Sequence, residues 1–177
     1  MNNRVEADRF ESMVLVHLGS AFALARWILG NDQTAEDVVQ DALVSAYKSF
    51  STLRSPYAKP WLLQIVRNRC LRHIEEKRRL SYEPLDESFQ EDTSLRNESD
   101  PEGILLRKLD EKDIHDAIEA LPEYMREIVI MREFEDMSYA EISQVIGSPI
   151  GTVMSRLSRA RKALADNLRE KLQESPL

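Results

Sequence analysis

"SYAEISQVIGSPIGTVMSRLSRARKAL", residues 138–164, decides how the chain folds. Ser138 stands three residues before Glu141. In that spacing a serine hydroxyl takes the N3 amide while the glutamate reaches back to the cap amide. Ile142 and Ile146 then share one helical face, and Gly147 can close the helix in the left-handed conformation. Ser148 reads as the cap of the next helix and Pro149 as its first residue. Two capped helices joined by a short glycine-containing turn predict a helix-turn-helix.

The second helix shows two faces. Val153, Leu157, Ala160 and Leu164 fall on one apolar stripe at i, i+4, i+7 and i+11. At about 100° per residue, Ser155, Ser158, Arg159 and Lys162 lie opposite it, with Thr152, Arg156 and Arg161 on its flanks. A helix built this way can enter a major groove, where one arginine reading guanine O6 and N7 gives ~1–3 kcal/mol of discrimination. The plainer alternative is a solvated basic face. Upstream, "LPEYMREIVIMREFEDMS" (121–138) reads as a support helix with Tyr124, Ile128, Met131 and Phe134 on one side. Its acids, Glu123, Glu127, Glu133, Glu135 and Asp136, would repel DNA and are expected to face solvent or a basic protein.

Charge is segregated along the 177 residues. The formal net charge is -7, and the segment from Ser81 to Glu102 carries all of it, with eight acids against Arg96. Arg67–Arg79 and Arg156–Lys171 each hold six bases against two acids. Screening confines surface charge to a reach of ~8–10 Å, so each basic cluster attracts phosphate on its own account. Residues 81–102 have no helical period and are rich in Ser, Asp, Glu and Pro, as a solvated linker would be.

Elsewhere the pattern is helical, with five glycines and no β-branched alternation. The expected helices are Asp8–Leu29, closed by Gly30-Asn31; Thr34–Phe50, with Thr34 as cap; Lys59 or Pro60 to Arg79; Ile104–Ala120; Pro122–Glu135; Tyr139–Ile146; and Pro149–Gln173. The fold class is all-α: two small helical domains joined by a flexible acidic linker, the C-terminal one a helix-turn-helix. The predicted boundaries are 1–80, 81–103 and 104–177.

Other classes find little support. The longest apolar stretches, Met13–Leu18 and Ala21–Ala25, fall short of the ~18–20 residues of a membrane span. "MNNRVEADRFES" lacks the layout of a signal peptide, so a cytoplasmic location without membrane insertion is expected. Cys70 is the single cysteine, which excludes an internal disulfide. Cys70 and His73 have a C-x-x-H spacing, but two ligands rarely hold zinc; a half-buried thiol and a surface imidazole are expected. No catalytic triad, phosphate loop or carboxylate–metal cluster is found, so neither an enzyme nor a bound metal or cofactor is expected.

Residues 121–164, "LPEYMREIVIMREFEDMSYAEISQVIGSPIGTVMSRLSRARKAL", resemble the C-terminal promoter-binding domain of the sigma-70 family in its extracytoplasmic-function (ECF) group. "AEDVVQDALVSAYKSF" (35–50) and "PWLLQIVRNRCLRHIEEKRR" (60–79) resemble the N-terminal domain of the same group. The resemblance implies an RNA polymerase sigma factor that reads the minus-thirty-five element with its last helix. Glu36, Asp37, Gln40, Asp41 and Tyr47 would dock on core RNA polymerase.

Tyr57, Lys59, Trp61, Arg67, Asn68 and Arg72 would meet the melted minus-ten strand, which calls for stacking, amide and cationic groups beside a phosphate track. The loop Thr52–Lys59 matches the family's pocket for a flipped base. Trp61 reads equally well as core. Arg72 and Glu75 depart from the group's pattern, which often has Asp and a base there. The implied partners are core polymerase, promoter DNA and an anti-sigma factor. The 22-residue linker would span ~25 Å as a coil and, being acidic, suits a basic polymerase channel.

Three rivals remain on the residues alone. A stand-alone helix-turn-helix regulator leaves Ala35–Arg79 without a role. A helical nuclease or deaminase lacks a metal or base constellation, and an RNA-binding regulator lacks an aromatic β platform.

Overall fold

The computed structural model describes residues 2–54, 57–81 and 111–174. Among them are eight α-helices and no strand. The first expected helix is interrupted. Helix α1 (Asn2–Met13) gives way to a 3-10 turn at Leu15–His17 before α2 (Leu18–Leu29) begins. At the break the Val14 amide still bonds to the Phe10 carbonyl (2.8 Å), but the His17 amide reaches only three residues back, to Val14 (3.0 Å). The tightening turns Val14 wholly inward.

Helix α3 (Asp32–Ser49) starts earlier than expected, because Asn31 and not Thr34 is its cap. The Asn31 side-chain oxygen accepts from the Thr34 amide (2.8 Å) and the Thr34 hydroxyl (3.0 Å). A 3-10 turn at Phe50–Thr52 follows, and α4 (Ala58–Ser81) has Pro60 in its first turn, as expected, where a missing N–H costs nothing. Helices α2, α3 and α4 pack together. Ala21, Ala25, Ala35, Ala42 and Ala46 let α2 and α3 lie close, and Leu24, Leu62, Leu63 and Val66 fill the space between. Phe10 meets Tyr47 and Phe50 edge-on, at 5.1 and 5.2 Å, and ties α1 to this bundle.

By window rather than by unbroken run, Arg4–Leu29 is long and apolar enough to cross a membrane, with mean hydropathy 1.5. A core helix passes the same test. Here the segment bends at Val14 and buries Phe10, Val14, Ala21, Leu24, Ala25 and Ile28 in the core.

The expected linker, 81–103, and the start of the expected Ile104–Ala120 helix lie almost wholly outside the described residues. From Glu111 the chain forms α5 (Glu111–Glu119), α6 (Glu123–Val129), a π-helical turn (Ile130–Phe134), α7 (Tyr139–Ile146) and α8 (Ile150–Glu174). Pro122 is the cap residue of α6 rather than its first. The π turn was not legible in the sequence. Glu135 donates its amide to the Ile130 carbonyl, five residues back (3.1 Å), and Met137 reaches Met131 (3.0 Å). The wider turn shifts the register, so Ile128 and Met131 are buried as expected while Phe134 is 55% exposed. Asp136 then takes the left-handed conformation (φ 52), which aspartate tolerates better than most side chains.

The helix-turn-helix follows its sequence closely. The Ser138 hydroxyl accepts from the Glu141 amide (3.3 Å), and the Glu141 carboxylate accepts from the Ser138 amide (2.8 Å). Gly147 closes α7 at φ 65, where any other L-residue would be strained. One boundary differs: the Thr152 and Val153 amides bond to the Pro149 carbonyl, so α8 springs from Pro149 and starts one residue later than expected.

The two helical modules are docked. Helix α7 packs on α4 and α6 on α2, and buried side chains of both modules join in one hydrophobic cluster.

The capping box yields a stability prediction. Ser138→Ala should lower stability by about 1 kcal/mol in chemical denaturation. The Glu141 carboxyl is held below its ordinary value by hydrogen bonds from the Ser138 backbone and side chain. A depressed carboxyl stabilises fully above its unfolded pKa and loses that contribution as pH falls through the folded value. The gap between wild type and variant should therefore be largest above about pH 4.5 and shrink in more acid solution.

Candidate nucleic-acid interface

Helix α8 lies across α5, α6 and α7 on its buried edge, where Val153, Leu157 and Ala160 are fully enclosed. Its open edge is shifted from the wheel drawn on sequence alone. Ser158, Arg161 and Lys162 are exposed, as expected of a groove-reading face, and Gly151 and Met154 (53%) complete it. Thr152, Ser155, Arg156 and Arg159 are only half exposed. The Arg156 guanidinium sits over the Tyr124 ring (5.9 Å), and the Arg159 Nε approaches the Ser155 carbonyl (3.5 Å).

Glu133 takes two hydrogen bonds from Arg161, at 3.1 Å from Nε and 2.6 Å from Nη2. One acid of the support segment therefore faces a base of α8 itself. Met154 was missed because it interrupts a polar pattern; its i, i+4, i+8 row with Ile150 and Ser158 was the available signal. An exposed methionine is suited to a thymine methyl group.

Helix α4 carries the second cluster. Asn68 and Arg72 are exposed one turn apart, which excludes a core role for Asn68. Tyr57 is 72% exposed, and Trp61 is half-buried against the core. Lys59 and Arg67 are engaged. The Lys59 ammonium donates to the Glu135 backbone carbonyl (2.8 Å) and pairs with its carboxylate (2.8 Å). Arg67 forms a two-pronged pair with Glu127, Nε at 2.6 Å and Nη2 at 2.9 Å, and Glu127 is 2% exposed. Two acids of 121–138, Glu127 and Glu135, thus meet a basic protein surface, and it belongs to the same chain.

Around this seam, burial and the Glu127 charge raise the Glu123 carboxyl. Burial and the nearby Lys59 lower the His17 imidazole, with Glu135 acting the other way. Arg126 adds a third tie, donating to the Trp27 carbonyl (3.1 Å) near the end of α2, where helical carbonyls lack partners.

On α3, Glu36, Asp37, Gln40, Asp41 and Tyr47 are all exposed. Val44, 54% exposed, completes this face and was not singled out in the sequence, although its spacing from Gln40 and Tyr47 places it there. Cys70 is fully buried rather than half-buried, and burial pushes its thiol up to about 12, which disfavours the thiolate. His115, Asp116 and Glu119 bring ligand atoms within 4.8 Å of one another, but Lys171 approaches Asp116 (3.4 Å) and His115 stacks on Trp27 (4.7 Å).

Family comparison decides between the remaining readings. The model described as sigma-70 region 2 matches residues 13–80, and that described as sigma-70, region 4 matches 111–164. The RNA polymerase sigma-H factor of Pseudomonas aeruginosa is 33% identical, over 97% of this chain and 92% of its own length. The ECF RNA polymerase sigma-E factor of Escherichia coli K12 is 32% identical, over 81% of this chain and 78% of its own.

The chain belongs to the ECF group of the sigma-70 family. This sigma factor is also similar to a solved structure, RpoE of Bartonella quintana in complex with the anti-sigma factor NepR. That likeness has a TM-score of 0.70 and 28% identity, covering 91% of this chain and 97% of that one. CnrH in complex with the cytosolic domain of CnrY shares the fold, at TM-score 0.60 and 22% identity over 91% and 88% of the two chains.

The exposed edge of α8 gives a further prediction. Lys162→Ala should weaken binding to all duplexes alike and lower the salt slope by about 1, as loss of one phosphate contact does. Met154→Ala should instead change which upstream sequence is preferred, read by competition between promoter fragments.

Proposed function

We infer that this sigma factor is a dissociable initiation subunit that binds core RNA polymerase and directs it to promoters. It contributes recognition rather than chemistry and is not an enzyme. The observation that carries the reading is the order of two modules, region 2 then region 4, each with a surface suited to its part. Residues 1–80 form the polymerase and minus-ten module, 81–103 the linker, and 104–177 the minus-thirty-five module.

In the duplex step, α8 lies in the major groove with Ser158, Arg161 and Lys162 toward DNA, while Thr152, Ser155, Arg156 and Arg159 line its shoulder. In the melted step, Asn68 and Arg72 bond base edges and phosphate, Tyr57 and Trp61 offer rings for stacking, and Lys59 and Arg67 add charge. The acidic face of α3 (Glu36, Asp37, Gln40, Asp41), with Val44 and Tyr47, docks on the polymerase. The protein acts in the cytoplasm, where its polymerase is. The RpoE–NepR complex supports an anti-sigma factor as a further partner.

The test is capture of core polymerase by the purified protein, followed by run-off transcription from genomic fragments. Transcripts with new, defined start sites are expected; failure to bind core, or starts unchanged by the protein, would sink the reading. Two variants divide the roles. Val44→Asp should weaken core binding about tenfold, roughly 1.4 kcal/mol, without altering free-duplex affinity. Asn68→Ala should reduce promoter opening, followed by permanganate footprinting, more than initial duplex binding.

A further inference from the structure

We propose that Glu133 is a positioning residue for duplex reading: it ties the Arg161 guanidinium to one phosphate position and so sets the register in which α8 lies in the groove. The inference rests on the assignment of α8 to the upstream duplex. It adds that an acid of the π turn, without touching DNA itself, decides how selective that helix is.

Stability does not account for the pair. Both side chains are near the surface, 52% exposed for Arg161 and 42% for Glu133, and an exposed ion pair adds little to a fold. Its geometry is nevertheless specific. Glu133 Oε1 accepts from both Nε (3.1 Å) and Nη2 (2.6 Å) of Arg161, which takes one edge of the guanidinium and leaves Nη1 for a DNA oxygen. The Glu133 hydrogen bond raises the Arg161 guanidinium above its ordinary value against the effect of burial, and Tyr139, at the start of α7, acts in the same direction. Glu133 stands between α6 and α7, both of which pack on α8, so its carboxylate is carried by a fixed frame.

Place along the helix assigns Arg161 its part. Recognition helices of this motif read bases with their first turns. Arg161 lies beyond Met154 by about 10 Å along α8, at ~1.5 Å per residue, where the wall of the groove is in reach rather than its floor. A contact to phosphate carries no sequence information directly, but it fixes the register of the protein on the duplex. An untethered arginine finds a phosphate in any register and stabilises a misplaced α8 as well as a correctly placed one. An arginine tied to Glu133 finds one only where the base-facing residues are also in place. Selectivity is a difference between two affinities, and the tether acts by withholding a contact from the wrong sites.

The experiment selects duplexes from a random-sequence pool with the full wild-type chain. The enriched duplex is then compared with a mixed-sequence duplex of equal length over a range of salt. Glu133→Ala should bind the mixed-sequence duplex about fivefold tighter, with a salt slope steeper by about 0.9 for one added phosphate contact. Its affinity for the enriched duplex should stay within about twofold of wild type, so preference falls. Glu133→Gln removes the same charge but keeps an oxygen that Nε and Nη2 can share, and should keep most of the preference that alanine loses. Arg161→Lys, a point charge without the planar fork, should lose preference as Glu133→Ala does.

Unchanged preference in Glu133→Ala would overturn the proposal. So would equal losses in the alanine and glutamine variants, which would mark a general charge effect. In an Arg161→Ala background, Glu133→Ala should change nothing further; an additional loss would give Glu133 a role of its own and overturn the tether. The Arg161→Lys arm remains readable if Glu133→Ala folds poorly, and unchanged preference there would also overturn it. Failure of the wild type to enrich any sequence would remove the reading of α8 and the proposal with it, whereas enrichment that no variant alters counts against the tether alone.

Discussion

A carboxylate enclosed by protein has lost its water, and the fold must provide a cation or lose stability. Glu127 is in that position, and the cation comes from sixty residues away in sequence, in the other module. An isolated buried pair adds little net stability, because dehydration of both ions offsets most of their attraction. Removing one partner is a different matter and costs ~3–5 kcal/mol, since the other charge stays buried and alone. The pair therefore fixes the arrangement more than it strengthens it. Once α7 docks on α4 and α6 on α2, Arg67 and Glu127 meet, so the pair favours that one arrangement of the modules. Lys59 with Glu135 and Arg126 with the Trp27 carbonyl follow from the same alignment.

The extent to which this was legible in the sequence depends on the distance over which each interaction acts. Interactions within one turn of helix were plain. The Ser138–Glu141 box and Gly147 gave α7 to the residue, because caps are decided by neighbours three or four positions away. Where two caps competed, sequence chose wrongly. Asn31 and Thr34 are both good caps, and only the folded chain shows Asn31 binding Thr34 rather than being followed by it. The break at Val14 and the π turn at Ile130–Phe134 had no local signal, for each is a compromise that lets side chains on either side of it face the core. The docking of the modules was least legible, as Lys59 to Glu135 spans 76 residues. The acids of 121–138 were expected to face solvent or a basic protein, and both occur: Asp136 is exposed, while Glu127 and Glu135 meet bases of α4. What the expectation lacked was the identity of that surface.

The same reasoning explains the shifted edge of α8. A wheel assumes one buried stripe, but a helix packed against α5, α6 and α7 is covered over a wider and lopsided arc. Arg156 falls on the covered shoulder, where its long side chain lies on Tyr124, and Met154 falls on the open side. Polarity was a poor guide here. Arginine can lie along a protein surface with its head solvated, whereas the apolar Met154 stands 53% exposed on the open edge.

Arginine chemistry also explains how α4 can be covered. Arginine is a strong, planar, always-charged donor, and such a group is costly to leave unpaired under a folded module. A helix carrying Lys59 and Arg67 can thus be covered only by a surface that supplies anions at matching places. The segment 121–138 supplies them through Glu127 and Glu135, and it belongs to the C-terminal module. Two cations on one helix thus decide which face of the C-terminal module can lie against it, the face on which Glu127 and Glu135 stand at matching places.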